Sequence, residues 1–306
     1  MSVEVSNISK YFGKFIALDS ISFNISNNGC YGILGPNGAG KTTLFKIMST
    51  LIKPSSGTVK INGYDIFESR EKALKDTAFL VGTPEPYDYL TVKEFIEFAA
   101  KLRGKDVNVN ELKDELDLPD LRARCGILSK GQKRRVYLAA LLAQDPKIMI
   151  LDEPTDGLDP IEIYVIKNII KKIKKDKIII LSSHILSEVQ ELCDYIMVVK
   201  KRLLWKGDKN SLMNMFTNKT LRVEFLYPVD IVEVKSLINT LAYQIRQIED
   251  SNRTFVIEYS GDDNDRKKIL EKLVNLGIKN FGDNTSSLEE SYIRLLDKFS
   301  KVYSYE

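Results

Sequence analysis

The stretch GPNGAGKTT at 35–43 constrains this chain more than any other. It follows a continuous apolar run, CYGILG at 30–35, and precedes a helix-like segment. A Gly, four residues and then Gly-Lys-Thr, set between a strand and a helix, is the pattern of a phosphate-binding loop. Glycines let backbone N–H groups turn inward around phosphates, and the helix start adds its positive end. Gly35, Pro36, Asn37, Gly38, Ala39, Gly40, Lys41, Thr42 and Thr43 are therefore expected to line a nucleotide. Lys41 can reach the β- and γ-phosphates, and the Thr42 hydroxyl can ligate Mg²⁺. The bland alternative is a Gly-rich turn that matches by chance, and the flanking strand and helix speak against it.

The remainder of the first two-thirds has the texture of a parallel α/β sheet. IMILD (148–152) and IIILSS (178–183) are continuous apolar runs, as expected of strands covered on both faces. SISFNI (20–25) alternates like a half-buried strand. The continuous runs pass into polar or Gly-rich residues and then into helix-like segments, which is the α/β pattern. Helix starts are marked by the capping boxes TVKE (91–94) and SKGQ (129–132), and by DPIE (159–162) with Asp at the N-cap and Pro behind it. After Ser183, the residues Ile185, Val189 and Leu192 fall on one helix face.

From about residue 217 the pattern changes. TLRVEFLYP (220–228) and RTFVIEYS (253–260) read as strands, and DIVEVKSLINTLA as a helix. DRKKILEKLVNLG (265–277) reads as a helix closed by Gly277, and SLEESYIRLLDKF (287–299) as a final amphipathic helix. Residues 1–216 are thus expected to form an α/β nucleotide-binding domain. Residues 217–306 are expected to form a small α+β unit, ferredoxin-like in strand order.

Composition excludes several classes. Lys plus Arg total 45 against 42 Asp plus Glu, a net of +3, which argues against a nucleic-acid binder. The basic run KKIKKDK (171–177) has the spacing of a solvated helix face. Cys30, Cys125 and Cys193 are far apart and match no metal spacing, so they read as reduced thiols of a cytosolic protein. The N-terminus lacks an apolar signal segment, and no apolar run approaches the ~20 residues that cross a bilayer. A membrane role has to come through a partner.

IMILDEP (148–154) supplies the second half of a phosphate site. Asp152 ends an apolar strand, the position from which a carboxylate holds Mg²⁺ directly or through water. Glu153 follows at once, where it can orient or polarise an attacking water. Two carboxylates capping a strand end is the bland alternative, and beside the phosphate loop it is the weaker one.

LSKGQKRRVYLAALLAQDP (128–146) ends immediately before that strand, and here the sequence resembles the ATP-binding-cassette (ABC) ATPases. LSKGQ resembles that family's signature, normally LSGGQ, and Ser129 and Gly131 at a helix start form a second anion site. The resemblance implies a P-loop NTPase cassette with a mostly parallel sheet core, antiparallel β, a helical subdomain at about 84–145 and a C-terminal accessory α+β domain. It also implies that two cassettes meet head to tail around two ATPs. The phosphate loop of one and the signature of the other, Ser129, Gly131 and Gln132, then enclose each nucleotide. TDGLDP (155–160) resembles the loop with an Asp at the dimer seam, here Asp159. YFGKFIAL (11–18) resembles the aromatic segment that stacks on adenine; Phe12 aligns best, Tyr11 is the fallback, and an aromatic closing a strand edge is the bland reading. His184, the only histidine, ends IIILSSH where the family has a His that contacts the γ-phosphate and helps hold water and the catalytic carboxylate. Without the resemblance it would read as a core histidine.

Two positions depart from the family pattern. Lys130 replaces the first signature glycine, which is tolerable if its side chain points outward and otherwise changes the approach to the partner's phosphates. Counting back from LTV (90–92), the family's Gln that links Mg²⁺ to the transmembrane partner falls at Gly82. Thr83 or Glu85 could substitute, and spacing does not choose between them.

The chemistry so assembled is Mg²⁺-assisted attack of water on the γ-phosphate of ATP. Lys41 and two helix starts stabilise charge, Asp152 and Thr42 hold the metal, and Glu153 positions the water. ATP closes the dimer and hydrolysis releases it. The expected partners are a second copy or a sibling cassette, and a separate transmembrane permease that holds the chain at the inner face of the cell membrane. TVKEFIEFAAKLRG and EPYDYL would lie near that contact. NTSSLEESYIRLLDKF resembles the tail of export-type cassettes serving drug, antibiotic or ion efflux. The alternative is a soluble cassette ATPase acting on ribosomes or DNA, but such relatives usually carry two cassettes or long coiled-coil, zinc or basic insertions. None appears here, and no nucleic-acid partner is expected.

Overall fold

In a computed structural model the described residues are 1–82, 85–208, 211–212, 219–239, 242–247, 252–259, 263–283, 292–293 and 295–296. The chain divides into two compact units, Met1–Lys209 and Asn210–Glu306.

In chain order the first unit runs β1 (Val3–Phe12), β2 (Phe15–Ile25), β3 (Gly29–Leu34), α1 (Lys41–Met48), β4 (Ser56–Ile61), β5 (Tyr64–Asp65), α2 (Arg70–Leu74) and β6 (Thr77–Leu80). It continues with α3 (Val92–Lys101), α4 (Val109–Leu116), α5 (Lys130–Leu142), β7 (Ile148–Leu151), α6 (Pro160–Ile173), β8 (Ile178–Ser183), α7 (Leu186–Leu192), β9 (Tyr195–Lys200) and β10 (Arg202–Asp208). The continuous apolar runs become the centre of a six-stranded sheet, ordered β10-β9-β3-β8-β7-β6. Every pair from β9 to β6 is parallel, and β10 closes the edge antiparallel. All residues of β3, β7 and β8 are buried, as their lack of alternation requires. The alternating segments instead form an antiparallel sheet, β2-β1-β4-β5.

Helix α1 is the element that both sheets share. Gly40 at its N-cap offers no side-chain hydrogen bond, so local capping does not hold the helix in place. Packing does: Leu44, Phe45, Ile47 and Met48 are fully buried in one cluster with β1, β2, β4, β7 and β8 residues. Burying four such side chains is worth roughly 6–12 kcal/mol in gross transfer terms. The phosphate loop therefore opens onto a helix that cannot drift.

The capping boxes expected at Thr91/Glu94 and Ser129/Gln132 are present, and so is a third at Asp159/Glu162. In α7, Val189 and Leu192 are buried, whereas Ile185 precedes the helix at its N-cap and is 41% exposed. Among the described residues no helix is long and apolar enough to cross a membrane.

The second unit runs β11 (Lys219–Phe225), α8 (Ile231–Ile238), β12 (Ala242–Gln247), β13 (Thr254–Tyr259), α9 (Asp263–Leu273) and β14 (Ile278–Asp283). Its antiparallel sheet has the order β12-β13-β11-β14, the ferredoxin-like order read from one edge. Leu221, Val223, Phe225, Phe255 and Ile257 pack with Val234, Ile238, Ile269 and Leu273 of the two helices. A short 3₁₀ turn follows α9, and Gly277 closes it at φ 79°. The final helix expected at 287–299 lies mostly outside the described residues.

Candidate functional site

In the parallel sheet β3, β8 and β7 are neighbours, so the loops after them emerge side by side. The first is the phosphate loop. Gly40 has φ 97°, and a Cβ there would lie 2.6 Å from the Ala17 carbonyl oxygen, so only glycine fits. Lys41, buried at the start of α1, donates to the carbonyl oxygens of Gly35 (2.7 Å) and Pro36 (3.3 Å). Its Nζ also lies 3.2 Å from Glu153 Oε1. Asn37, Gly38 and Thr42 are exposed, Ala39 is buried, and Pro36 and Thr43 are half-buried.

The second loop carries Asp152 and Glu153. The Ser182 hydroxyl donates to Asp152 Oδ1 (2.6 Å) and accepts from the Glu153 N–H (2.9 Å), so one buried hydroxyl ties both residues to the end of β8. Glu153 has φ 45°, a left-handed conformation costing roughly 1–2 kcal/mol for a side-chain-bearing residue. Its carbonyl oxygen accepts from Asp156 N (3.1 Å) and from Arg134 Nη2 (3.3 Å). Burial pulls the Arg134 pKa down from the ordinary guanidinium value, and the carboxylates of Asp156 and Asp152 oppose that shift.

The third loop begins with His184. Its Nδ1 lies 2.5 Å from Glu153 Oε2. Glu153 therefore holds Lys41 on one oxygen and His184 on the other. Behind this cluster, the buried Glu188 carboxylate accepts from Thr155 (2.9 Å) and Ser183 (2.9 Å), bracing the second loop against the third. The donors that suit Mg²⁺ are the exposed hydroxyl of Thr42 and the carboxylate of Asp152. An all-oxygen set of this kind fits a hard, six-coordinate cation.

The signature residues lie apart from this cluster. Ser129 caps α5: its hydroxyl accepts from Gln132 N (3.1 Å), while Gln132 Oε1 accepts from Ser129 N (3.0 Å). Asp159 caps α6 with two bonds of 2.9 Å, from Ile161 N and Glu162 N. Among the described residues, no hydrogen bond or ion pair joins Ser129, Gly131 or Gln132 to the phosphate loop of the same chain.

The protein-family model for ABC transporters matches residues 18–156. The lantibiotic transport ATP-binding protein SrtF of Streptococcus pyogenes is 33% identical over 232 residues, which span 72% of this chain and 97% of SrtF. This chain is a member of the ABC transporter ATP-binding family. The uncharacterized ABC transporter ATP-binding protein YxlF of Bacillus subtilis is 27% identical over 304 residues, 96% of this chain and 99% of YxlF. A solved ATP-binding subunit of an ABC transporter superposes with a TM-score of 0.65 at 28% identity, over 71% of this chain and 93% of that one. The cassette binds ATP with Mg²⁺ and hydrolyses it.

Other family positions carry details the motifs did not contain. Phe12 and Phe15 pair across the turn at the tip of the β1–β2 hairpin and are 50% and 56% exposed. Tyr11 is 44% exposed. The hairpin thus offers Phe15 as a third aromatic, which the motif comparison missed. Gly82 has φ 77°, and Thr83 lies outside the described residues. Glu85 is engaged by Lys133 at 3.0 Å, together with Asp88 at 3.2 Å. Lys130 is exposed, and its Nζ lies over Gly157, 2.1 Å from where a Cβ would stand. Ser182, Arg134 and Glu188 were also absent from the motif reading.

Proposed function

We propose that this cassette drives an export transporter, working as a head-to-tail pair with a second copy or a sibling on a separate transmembrane permease. The observation that carries the reading is the convergence of Lys41, Glu153 and His184, with Asp152 tied in through Ser182. Before ATP enters, the loop carbonyls and Glu153 hold the Lys41 ammonium. A triphosphate draws that ammonium onto its β- and γ-oxygens, because the phosphate charge outweighs two carbonyls and one carboxylate. Glu153 Oε1 is then released to orient and polarise a water, while Oε2 stays against His184. His184 keeps its second ring nitrogen for the γ-phosphate. Thr42 and Asp152 hold Mg²⁺, which when bound neutralises developing charge on the phosphate oxygens.

Phe12 supplies the adenine stack, and Asp159 lies at the seam between cassettes. Ser129, Gly131 and Gln132 of one cassette complete the site of the other. Export is supported by the resemblance of the tail to efflux cassettes and by SrtF, a transport protein for a lantibiotic. The exposed Tyr87, Phe98 and Leu102 line a cavity of about 250 Å³ beside α3 and α5, and this face suits the permease. Through it the chain sits at the cytoplasmic face of the membrane. Glu153→Gln tests the reading: turnover should fall by about 10²-fold or more, and ATP-bound dimers should accumulate in light scattering. Unchanged turnover would overturn it.

A further inference from the structure

The signature start and the start of α6 hold each other through two glycines. Lys130 of the signature lays its ammonium over Gly157. In the other direction, Glu162 of α6 lays its carboxyl group on Gly131, where a Cβ would lie 1.7 Å from the carboxyl carbon. Ser129 Oγ donates to the same carboxylate, Oε1, at 3.4 Å. Gly131 is buried, although Ser129 and Lys130 beside it are exposed.

The capping box satisfies the N–H groups of Ser129 and Gln132, and the N–H groups of Lys130 and Gly131 between them have no i−4 carbonyl to bond, which leaves that helix start open to an anion. In this chain an anion already stands there, and it belongs to Glu162. Its hold is weak by geometry: the Ser129 contact is 3.4 Å, and the other oxygen reaches Asp159 N at 3.5 Å. Both are at the long limit of hydrogen bonding. The occupant is seated by packing against a glycine and is easily displaced.

We propose that Glu162 is a positioning residue that occupies the signature site of the unpartnered cassette and must leave before the partner's nucleotide phosphate can dock. This deepens the head-to-tail reading above and rests on it. Two anions cannot share one helix start, so the Glu162 carboxylate raises the ATP concentration at which two cassettes close. Ser129 and Gly131 stay preorganised meanwhile, because a carboxylate presents two oxygens much as a phosphate edge does.

The test uses the full chain with Glu153→Gln, so that closed dimers accumulate, and compares it with the same chain carrying Glu162→Gln. Gln serves as well as Glu at the third position of a capping box, so the variant removes the charge and keeps the cap. Dimer fraction is followed by light scattering against Mg²⁺-ATP concentration. The ATP needed for half-maximal dimer should fall by roughly twofold to fivefold, the range for one carboxylate at a helix N-terminus. A capping role alone predicts the opposite, a lower melting temperature and an equal or higher ATP requirement, and that result overturns the proposal. If the Glu153→Gln parent stays monomeric at saturating ATP, the head-to-tail reading falls and the proposal with it. If the parent dimerises and Glu162→Gln causes no shift, only the proposal falls.

Discussion

Ser182→Ala unties the metal-side carboxylate, which follows β7, from the neighbouring strand β8. The Ser182 side chain is fully buried, donates to Asp152 at 2.6 Å and accepts from Glu153 N at 2.9 Å. Alanine leaves a buried carboxylate oxygen without its donor and a backbone N–H without its acceptor. Each orphaned group costs about 1–3 kcal/mol, and because one hydroxyl serves both, the combined loss should be about 2–4 kcal/mol in unfolding free energy. For a unit of this size that corresponds to a fall in melting temperature of roughly 5–15 °C. The kinetic effect is more diagnostic. With the Glu153 backbone untied, the water-orienting carboxylate drifts, and kcat should fall about 10- to 100-fold at a temperature where the variant is still folded. The Mg²⁺ concentration for half-maximal turnover should rise, because Asp152 loses the bond that aims it. Steady-state ATPase assays across a Mg²⁺ titration, read beside a melting curve, decide the matter. A variant that melts lower yet keeps wild-type turnover and Mg²⁺ dependence would reduce Ser182 to packing.

Three further outcomes follow from the same geometry. His184→Ala should lower kcat by about 10²-fold or more while changing KM for ATP by less than about threefold, since the ring holds Glu153 and its γ-phosphate contact counts most for the charge that develops in the transition state; wild-type kcat would remove His184 from the reaction. Gly40→Ala puts a Cβ 2.6 Å from the Ala17 carbonyl at φ 97°, so calorimetric ATP binding should be lost or weakened by at least about tenfold. Burial holds the Cys193 thiol above the ordinary value of 9.0, with Cys30 Sγ 3.5 Å away. An acid whose pKa is raised by folding contributes stability below its unfolded pKa and loses it as pH rises. Chemical denaturation should therefore show stability declining above about pH 9, and less steeply in Cys193→Ala; parallel declines would refute the assignment.

The sequence reading succeeded where a residue's fate is decided by its immediate neighbours. The buried strands declared themselves because a segment covered on both faces has no polar side to alternate with. Capping boxes did so because donor and acceptor lie three residues apart. It failed for β12 and β14. The latter, IKNFGD, carries an exposed Phe281 and a glycine, so nothing in it alternates, and only pairing with β11 makes it a strand. Ile185 was placed on a buried face by its spacing, but the chain turns at His184 and the helix begins one residue later.

The candidate site divides along the same line, and the sheet register explains how. Lys41, Asp152 and His184 each follow the C-terminal end of a parallel strand, and ligands of open α/β sheets bind outside those ends. Motifs that mark strand ends are therefore legible one at a time, and the topology then brings them together. The residues that fix their geometry are legible only through pairing. Leu151 stands opposite Leu181, which sets Asp152 level with Ser182 and points both side chains to one face. A slip of one residue between β7 and β8 would turn Ser182 to the opposite face and leave Asp152 beside Ser183, whose hydroxyl is already given to Glu188. Asp152 and Glu153 thus have their roles because of one particular register. That register is held by eight fully buried side chains, Ile148 to Leu151 facing Ile178 to Leu181, none of which takes part in the chemistry.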